Sequence, residues 1–351
     1  MQRALDLALR GWGRVQNNPL VGAVVLQGGE PVGEGWHPEY GQQHAETMAL
    51  DAAGERARGA TLVVILEPCA HHGKQPPCTE AIIRSGVNRV VVAMRDPNPV
   101  AAGGVELLEQ AGIQVEVGPL GDAAAVLNAM FLRSLREPSR PFVALKLATT
   151  LDGRIADAFG HSRWITGSAA REYVQWLRAG FEGIAVGGRT ARLDDPSLTV
   201  RGPLQPRTVP RRVVFDRIAD LATNLTLLRT AKDIPTLVVV APDADPSRVR
   251  RLQSVGAKIV RADSLVAALT ELREQGVGSL LVEGGGQLAG ALLGGGLVDR
   301  YYWLQAPMWL GEGGVPALAG LPNRSLEHAE RWKVVERRSL GEDTLLVLDR
   351  S

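Results

Sequence analysis

Apolar runs and amphipathic segments alternate along the first 135 residues, and this pattern predicts an α/β domain with a layer of helices on each side of a sheet. The continuous apolar run at 61–66 is typical of a buried strand, and two runs on either side of Gly28 and Gly29 predict a hairpin. Strands are predicted at 21–26, 31–36, 61–66, 87–94 and 113–117, and helices at 1–10, 44–54, 79–85, 105–110 and 123–135.

A polar segment at 136–141 contains two prolines and is predicted to link two domains, 1–140 and 141–351. The α/β alternation starts again after this segment. Strands are predicted at 142–148, 183–186, 212–215, 236–240 and 280–282, helices at 168–179, 246–254 and 265–274, and a hairpin at 332–348.

The composition is that of a globular protein, with 45% hydrophobic and 22% charged residues and a formal net charge of +1. Because no block of basic residues occurs, we expect neither a nucleic-acid partner nor an anionic membrane surface. No apolar run has the length of a membrane span, and Asp6 and Arg10 interrupt the apolar start, so it does not resemble a signal peptide. We therefore expect a cytoplasmic location. The first helix starts without a capping residue, and we expect a few native residues before it.

A histidine, a glutamate and the two cysteines of the chain fall at the ends of predicted elements. His44 and Glu46 begin a helix, Cys69 follows the strand 61–66, and Cys78 begins the next helix. A zinc deaminase combines the sequence H-x-E with a proline–cysteine pair and a further cysteine. Three protein ligands leave the fourth zinc position open for water, and the glutamate moves protons without binding the metal. We therefore predict His44, Cys69 and Cys78 as zinc ligands and Glu46 as the catalytic acid and base.

The spacing of the cysteines leaves alternatives for this site. Eight residues separate them, whereas the usual deaminase pattern has two. His71 or His72 in this insertion could supply a fourth ligand and close the site into a structural one, or could face a substrate. A disulfide needs an oxidising compartment, which nothing in the sequence indicates. Cysteine and histidine ligands also accept other divalent ions.

A glycine cluster follows the apolar strand 280–282 in the second domain. Gly284, Gly285 and Gly286 precede a predicted helix, where glycines let backbone N–H groups approach a phosphate. A tight turn would explain the same cluster.

Several polar residues of the second domain also permit two interpretations. Lys146 lies on a predicted buried strand, so it is either an active-site cation or proton donor, or half of a buried ion pair. From composition alone, Arg178 and Arg201 are surface charges and Asp194 belongs to a turn before Pro196.

Many short strings in both halves resemble the bifunctional riboflavin-biosynthesis deaminase/reductase family of bacteria. The strings lie at 18–22, 35–37, 44–46, 66–73, 76–78 and 96–99, and at 145–148, 151–154, 164–166, 194–201 and 282–285. This resemblance implies a cytidine-deaminase-like first domain with zinc and a dihydrofolate-reductase-like second domain that uses NADPH. It also implies a free pyrimidine ribosyl phosphate as substrate, which is first deaminated and then reduced from a ribosyl to a ribityl compound, and a homo-oligomeric assembly.

The resemblance also assigns roles to individual residues. It implies that Ala148, Trp164, Thr190, Asp194, Gly285, Gly286 and Gln287 contact the cofactor. It implies that Ser162, Arg178, Leu198, Arg201 and Glu283 contact the substrate, to which we add Asn18 and Lys146. Asn18 is equally explained as a turn residue before Pro19. The chain departs from the family at Arg300, where an acidic residue is usual, and at 100–104, which is one residue short.

Two other functions fit parts of the sequence. The first is a nucleoside or nucleic-acid deaminase with an unrelated partner domain, which the long cysteine spacing and the lack of a basic patch disfavour. The second is a zinc-stabilised binding protein, which Glu46 disfavours because a structural zinc does not need that carboxylate.

Overall fold

The computed structural model describes residues 1–16 and 18–350. The chain divides into two compact units, Met1–Pro138 and Ser139–Ser351, and this division falls inside the predicted linker. Among the described helices, none combines the length and the apolar character that a membrane span requires.

The first unit has a five-stranded sheet with the strand order β2-β1-β3-β4-β5. Strand β1 is antiparallel to both of its neighbours, and β3, β4 and β5 are parallel. The elements of this unit are α1 (Gln2–Ala8), β1 (Gly22–Gln27), β2 (Glu30–Trp36), α2 (Ala45–Ala53), β3 (Thr61–Leu66), α3 (Cys78–Ser85), β4 (Arg89–Met94), α4 (Gly104–Gln110), β5 (Gln114–Val117), α5 (Gly121–Leu127) and α6 (Ala129–Arg136).

Glycines on the sheet allow helices α1 and α2 to approach its two faces closely. A Cβ atom at Gly33 or Gly35 of β2 would lie 2.2 Å from a carbonyl oxygen of α2, and one at Gly22 of β1 would lie 2.0 Å from a carbonyl oxygen of α1. No other residue fits at such contacts. The predicted α/β/α layering is confirmed, and the first turn of α2, which contains Glu46, is fixed against β2.

The single helix predicted at 123–135 is wrong, because two helices, α5 and α6, occupy this region and are separated at Asn128. The buried side chain of Asn128 accepts a hydrogen bond from the Leu20 N–H (2.8 Å) and donates one to the Leu20 carbonyl (3.0 Å). The side chain of Asn128 thus connects the junction of α5 and α6 to the segment before β1.

The second unit has a nine-stranded sheet with the order β11-β10-β9-β8-β12-β6-β13-β16-β15, and a small sheet of β14 and β7. In this order, the strands β11, β10, β9, β8, β12, β6 and β13 are parallel to one another. Strands β16 and β15 add an antiparallel hairpin. The elements are β6 (Phe142–Thr149), β7 (Arg154–Ala156), α7 (Ser168–Ala179), β8 (Gly183–Gly187), α8 (Gly188–Asp194), β9 (Arg211–Phe215), α9 (Thr226–Arg229), β10 (Thr236–Val240), α10 (Pro246–Ser254), β11 (Lys258–Arg261), α11 (Leu265–Glu274), β12 (Ser279–Glu283), α12 (Gly286–Gly294), β13 (Arg300–Gln305), β14 (Val315–Pro316), β15 (Trp332–Leu340) and β16 (Asp343–Arg350).

Alternating side chains of this sheet enter two separate apolar cores. Val213 belongs to the core on one face and Val214 to the core on the other, so both faces are covered. The order of the strands along the sheet reverses between the parallel strands β8 and β12, because β8 leads to β9 on one side and β12 leads to β13 on the other. In open α/β sheets, ligands bind beyond the carboxyl ends of the strands at such a reversal.

Candidate metal centre and ligand cavity

His44, Cys69 and Cys78 converge at the ends of three elements of the first unit. His44 is the residue before α2, Cys69 follows β3, and Cys78 is the first residue of α3. The ligand atoms of these residues lie within 4.8 Å of one another. His44 Nδ1 is 3.2 Å from Cys78 Sγ and 3.6 Å from Cys69 Sγ.

The three residues fit a zinc ion. Zinc–sulfur and zinc–nitrogen bond lengths place the ligand atoms of a tetrahedral site about 3.5 Å apart. In the described part of the chain, no fourth histidine, cysteine or carboxylate joins the group. Both cysteines are free thiols. The arrangement therefore matches an open site, and it disfavours the closed structural zinc and the disulfide.

The electrostatics of the two cysteines favour metal binding. The hydrogen bond from the Cys78 thiol lowers the pKa of Cys69 to about 4. The same bond, together with burial, raises the pKa of Cys78. The backbone N–H of Cys78 also donates to Cys69 Sγ at 3.4 Å. The lowered pKa of Cys69 favours its thiolate form, which is the form that binds metals.

Glu46 lies in the first turn of α2, with only 4% of its surface exposed. Burial raises its pKa to about 7. A carboxyl group with this pKa can both accept and release a proton near neutral pH, as general acid–base catalysis requires.

Glu67 is a feature of this site that the sequence analysis missed. Its buried carboxylate accepts hydrogen bonds from the backbone N–H groups of Asp96 (3.0 Å), Gly103 (3.1 Å) and Val105 (3.1 Å). These hydrogen bonds hold the segment before Cys69 against the segment 96–105 that follows β4. The signal in the sequence was an acidic residue at the end of an apolar strand, where an unpaired charge is costly.

The insertion between the cysteines contacts the loop before α2. Lys74 Nζ lies 3.9 Å from the ring centroid of Tyr40, and Gln75 Nε2 donates to the Gly41 carbonyl at 3.2 Å. Among the residues that the structure describes, His71 Nδ1 is buried and has no hydrogen-bond partner, and Nε2 of the exposed His72 lies 3.6 Å from Glu80 Oε1.

Asn18 lies in a turn, where its backbone N–H donates to the Val15 carbonyl at 3.1 Å. Its contact with substrate stays a prediction.

One cavity of about 1470 Å³ in the second unit brings together all the site residues that were predicted there. It lies at the carboxyl ends of the parallel strands, on both sides of the reversal between β8 and β12. The predicted residues in its lining are Lys146, Ala148, Ser162, Trp164, Arg178, Thr190, Asp194, Leu198, Arg201, Glu283, Gly285, Gly286 and Gln287.

The glycine loop after β12 fits a phosphate-bearing cofactor. Gly284 and Gly285 have positive φ angles of 75° and 86°, and a Cβ at Gly285 would lie 3.0 Å from Thr190 Oγ1. Both positions therefore favour glycine, and the loop leads directly into the N-terminus of α12. The cavity volume also exceeds what one drug-sized ligand usually occupies, so a dinucleotide and a substrate could share it.

Three charged residues meet at the ends of β12 and β6. Arg178 binds Glu283 through two hydrogen bonds, Nε to Oε1 (2.6 Å) and Nη2 to Oε2 (2.8 Å), and the side chain of Arg178 is about 10% exposed. Lys146 is the cross-strand neighbour of Glu283. Burial lowers the pKa of Lys146, while the nearby charge of Glu283 opposes this change. Among the described residues, the ammonium group of Lys146 has no hydrogen-bond or ion-pair partner, which favours an active-site cation over a structural ion pair.

The two arginines predicted to bind substrate differ in their surroundings. Arg178 is not the surface charge that composition suggested, since it is buried and also donates to the Thr199 carbonyl at 2.9 Å. Arg201 is exposed, and only its backbone N–H has a described bond, to Gln175 Oε1 at 2.8 Å. The guanidinium of Arg201 therefore remains available to a phosphate.

The loops beside the cavity are held by hydrogen bonds and a cation–π contact. The Asp195 carboxylate accepts bonds from the backbone and hydroxyl of Thr226, whereas the neighbouring Asp194 ends α8. Trp164 is 69% exposed, with the Arg171 guanidinium 4.8 Å from its ring centroid.

Comparisons with known proteins match both units. Residues 1–94 match the family described as "Cytidine and deoxycytidylate deaminase zinc-binding region", and residues 141–346 match "RibD C-terminal domain". The chain is 42% identical to riboflavin biosynthesis protein RibD of Escherichia coli K12 (99% of this chain, 98% of that protein) and 40% identical to RibD of Bacillus amyloliquefaciens (99% and 94%). A solved diaminohydroxyphosphoribosylaminopyrimidine deaminase/5-amino-6-(5-phosphoribosylamino)uracil reductase from Thermotoga maritima is 36% identical and superimposes with a TM-score of 0.84, covering 100% of this chain and 97% of that one.

Proposed function

This chain belongs to the RibD family of riboflavin biosynthesis proteins, and from that premise we propose which of its residues carry out each of two reactions. The protein is a bifunctional enzyme, a zinc-dependent deaminase and an NADPH-dependent reductase that act on small molecules. The observation that supports the residue assignments best is the open His44, Cys69 and Cys78 group with a buried Glu46 in the adjoining helical turn.

In the first unit, we assign zinc binding to His44, Cys69 and Cys78. When bound, zinc supplies a Lewis acid that makes water nucleophilic near neutral pH. Glu46 takes a proton from this water and gives one to the departing amine, for which its raised pKa is suited. The substrate is 2,5-diamino-6-ribosylamino-4(3H)-pyrimidinone 5′-phosphate, which loses an exocyclic amine as ammonia.

In the second unit, we assign the cofactor to Ala148, Trp164, Thr190, Asp194 and the glycine loop 285–287. When bound, NADPH supplies a hydride. Arg201 binds the substrate phosphate by charge-assisted hydrogen bonds, and Arg178 holds Glu283 in place. Lys146 donates a proton to the ring oxygen of the ribosyl group as the sugar opens to the ribityl chain. The remaining substrate contacts are assigned to Arg178, Glu283, Ser162 and Leu198, and to Asn18 in the first unit.

We further propose that the protein is cytoplasmic and homo-oligomeric, and that it binds neither nucleic acid nor membranes. A nucleoside or nucleic-acid deaminase would need a partner domain of another kind, whereas residues 141–346 match the RibD C-terminal domain.

One assay tests the proposal. Purified zinc-loaded protein is mixed with the diaminopyrimidinone ribosyl phosphate, with and without NADPH, while ammonia release and NADPH oxidation are followed. We expect ammonia without NADPH, and NADPH oxidation that depends on the deaminated product. Deamination of cytidine or transfer RNA instead would contradict the proposal.

A further inference from the structure

The cavity of the second unit continues beyond the glycine loop to a region without an assigned role. This region lies at the carboxyl ends of β9, β10 and β11, and α11 covers it. Its apolar lining comprises Phe215, Val239, Val240, Ala262, Leu265 and Ala268. Lys146 on β6 is four strand positions from β10, or about 19 Å at the usual strand spacing. An elongated ligand with one end near Lys146 would therefore place its other end in this apolar region, which suits a flat heterocycle such as adenine.

Two exposed arginines border this apolar region. Arg189 on α8 and Arg217 after β9 line the cavity and are exposed. Within residues 1–16 and 18–350, neither side chain has a hydrogen-bond or ion-pair partner. Arg192, the third arginine here, is already bound to Asp216 at 3.1 Å. Two guanidinium groups beside an apolar cleft form a site for an anion attached to an apolar ring.

The carboxylate at the end of β9, which also lines the cavity, already has partners within the chain. Dinucleotide sites for the unphosphorylated cofactor use a carboxylate to accept a hydrogen bond from the ribose 2′-hydroxyl, whereas a nearby arginine accommodates a 2′-phosphate. Asp216 is 4% exposed, and its oxygens bind Arg192 (3.1 Å) and the backbone N–H of Asp220 (2.6 Å). The next residue, Arg217, is exposed.

We propose that Arg217, together with Arg189, binds the 2′-phosphate on the adenosine half of the dinucleotide and so determines the preference for the phosphorylated cofactor. This inference rests on the proposed function, because it assumes that the cavity holds a dinucleotide with its reactive end near Lys146. It assigns two residues that the sequence analysis did not consider.

The test is calorimetric binding to the full zinc-loaded chain, with adenosine 2′,5′-bisphosphate and adenosine 5′-monophosphate as probes. We expect wild-type protein to bind the bisphosphate more tightly. Arg217→Ala should weaken bisphosphate binding about 10- to 100-fold, as expected for charged hydrogen bonds, and should leave the monophosphate unaffected. The double variant with Arg189→Ala should remove the preference. Arg250→Ala, an exposed arginine of α10 outside the cavity, is the matched control.

The outcomes separate this inference from the proposed function. If the variants keep the wild-type preference while wild-type protein oxidises NADPH with the deaminated product, the arginine assignment is overturned and the reductase assignment stands. If wild-type protein binds neither probe and does not oxidise NADPH, both fail. Equal melting temperatures of the variants and wild type show that a loss of binding is not a loss of folding.

Discussion

Two largely buried glutamates have pKa values shifted in opposite directions, because their neighbours differ. For Glu46, burial dominates and raises the pKa to about 7. For Glu283, burial would also raise the pKa, but the charge and the two hydrogen bonds of Arg178 outweigh it and lower the pKa. One carboxyl can thus exchange protons near neutral pH, while the other stays ionised and holds an arginine.

Glu46→Gln should reduce ammonia release by a factor of about 10² to 10⁴, since the amide cannot exchange protons. Zinc content, measured by atomic absorption, should remain at one ion per chain, because Glu46 is not in the ligand group. NADPH oxidation with the deaminated product should not change. Full deaminase turnover in this variant would contradict the assigned role.

Glu283 should make stability depend on acidic pH. The folded-state pKa of Glu283 is below the usual value of 4.5. Its contribution to the free energy of unfolding is therefore fully present above pH 4.5 and is lost as the pH falls through the folded-state pKa. We expect wild type to be more stable than Glu283→Gln in urea unfolding at pH 6, and the difference to shrink as pH falls below about 4.5. If the difference in stability between wild type and Glu283→Gln stays constant over this pH range, Glu283 does not form an ion pair.

At the scale of secondary-structure elements, the sequence was sufficient to predict the strands and helices that have a clear local hydrophobic pattern. The apolar runs of β3 and β10 have the lengths of buried strands, and both were predicted within one residue. Strands β11 and β13 were missed, because the first (KIVR) has only two apolar residues between basic ones and the second (RYYWLQ) has only a short apolar and aromatic run between polar residues, which periodicity alone does not assign to a strand. The convergence of His44, Cys69 and Cys78 was predictable, because these residue types fall at the ends of elements with a clear local pattern. The bonds of Glu67 and Asn128 depend on residues far away in the sequence, which no local pattern encodes.

The contact between β2 and α2 should control the metal site. Gly35→Ala places a methyl group 2.2 Å from the Ala45 carbonyl, so α2 has to move together with Glu46 and the adjoining His44. We expect a loss of about 1 to 3 kcal/mol in the free energy of unfolding and weaker zinc binding by competition with a chelator.

The control for this prediction is Gly28→Asn in the hairpin. Gly28 has a positive φ angle with open space around it, and asparagine tolerates that conformation. If Gly35→Ala binds zinc as tightly as Gly28→Asn, the proposed dependence is wrong.

At the scale of the whole molecule, each unit has its own sheet, and each predicted site lies within one unit. The metal group is in residues 1–138, and every residue that lines the large cavity is in residues 139–351. The residues that we assign to each reaction therefore belong to one unit and its sheet.

Removal of zinc should therefore affect only one reaction. After dialysis against a chelator, we expect ammonia release to disappear and NADPH oxidation with the deaminated product to continue. Readdition of zinc should restore ammonia release. Parallel loss of both activities on chelation would show that the second reaction also needs the metal.

The undivided cavity at the carboxyl ends of β6 to β11 has a kinetic consequence. Because Lys146, Arg201 and the glycine loop line the same space, we expect reductant and pyrimidine to bind together in a ternary complex before either product leaves. Steady-state rates at several concentrations of both compounds should therefore give intersecting lines in double-reciprocal plots. Parallel lines, the signature of a substituted-enzyme mechanism, would mean that the two ligands occupy the cavity in turn.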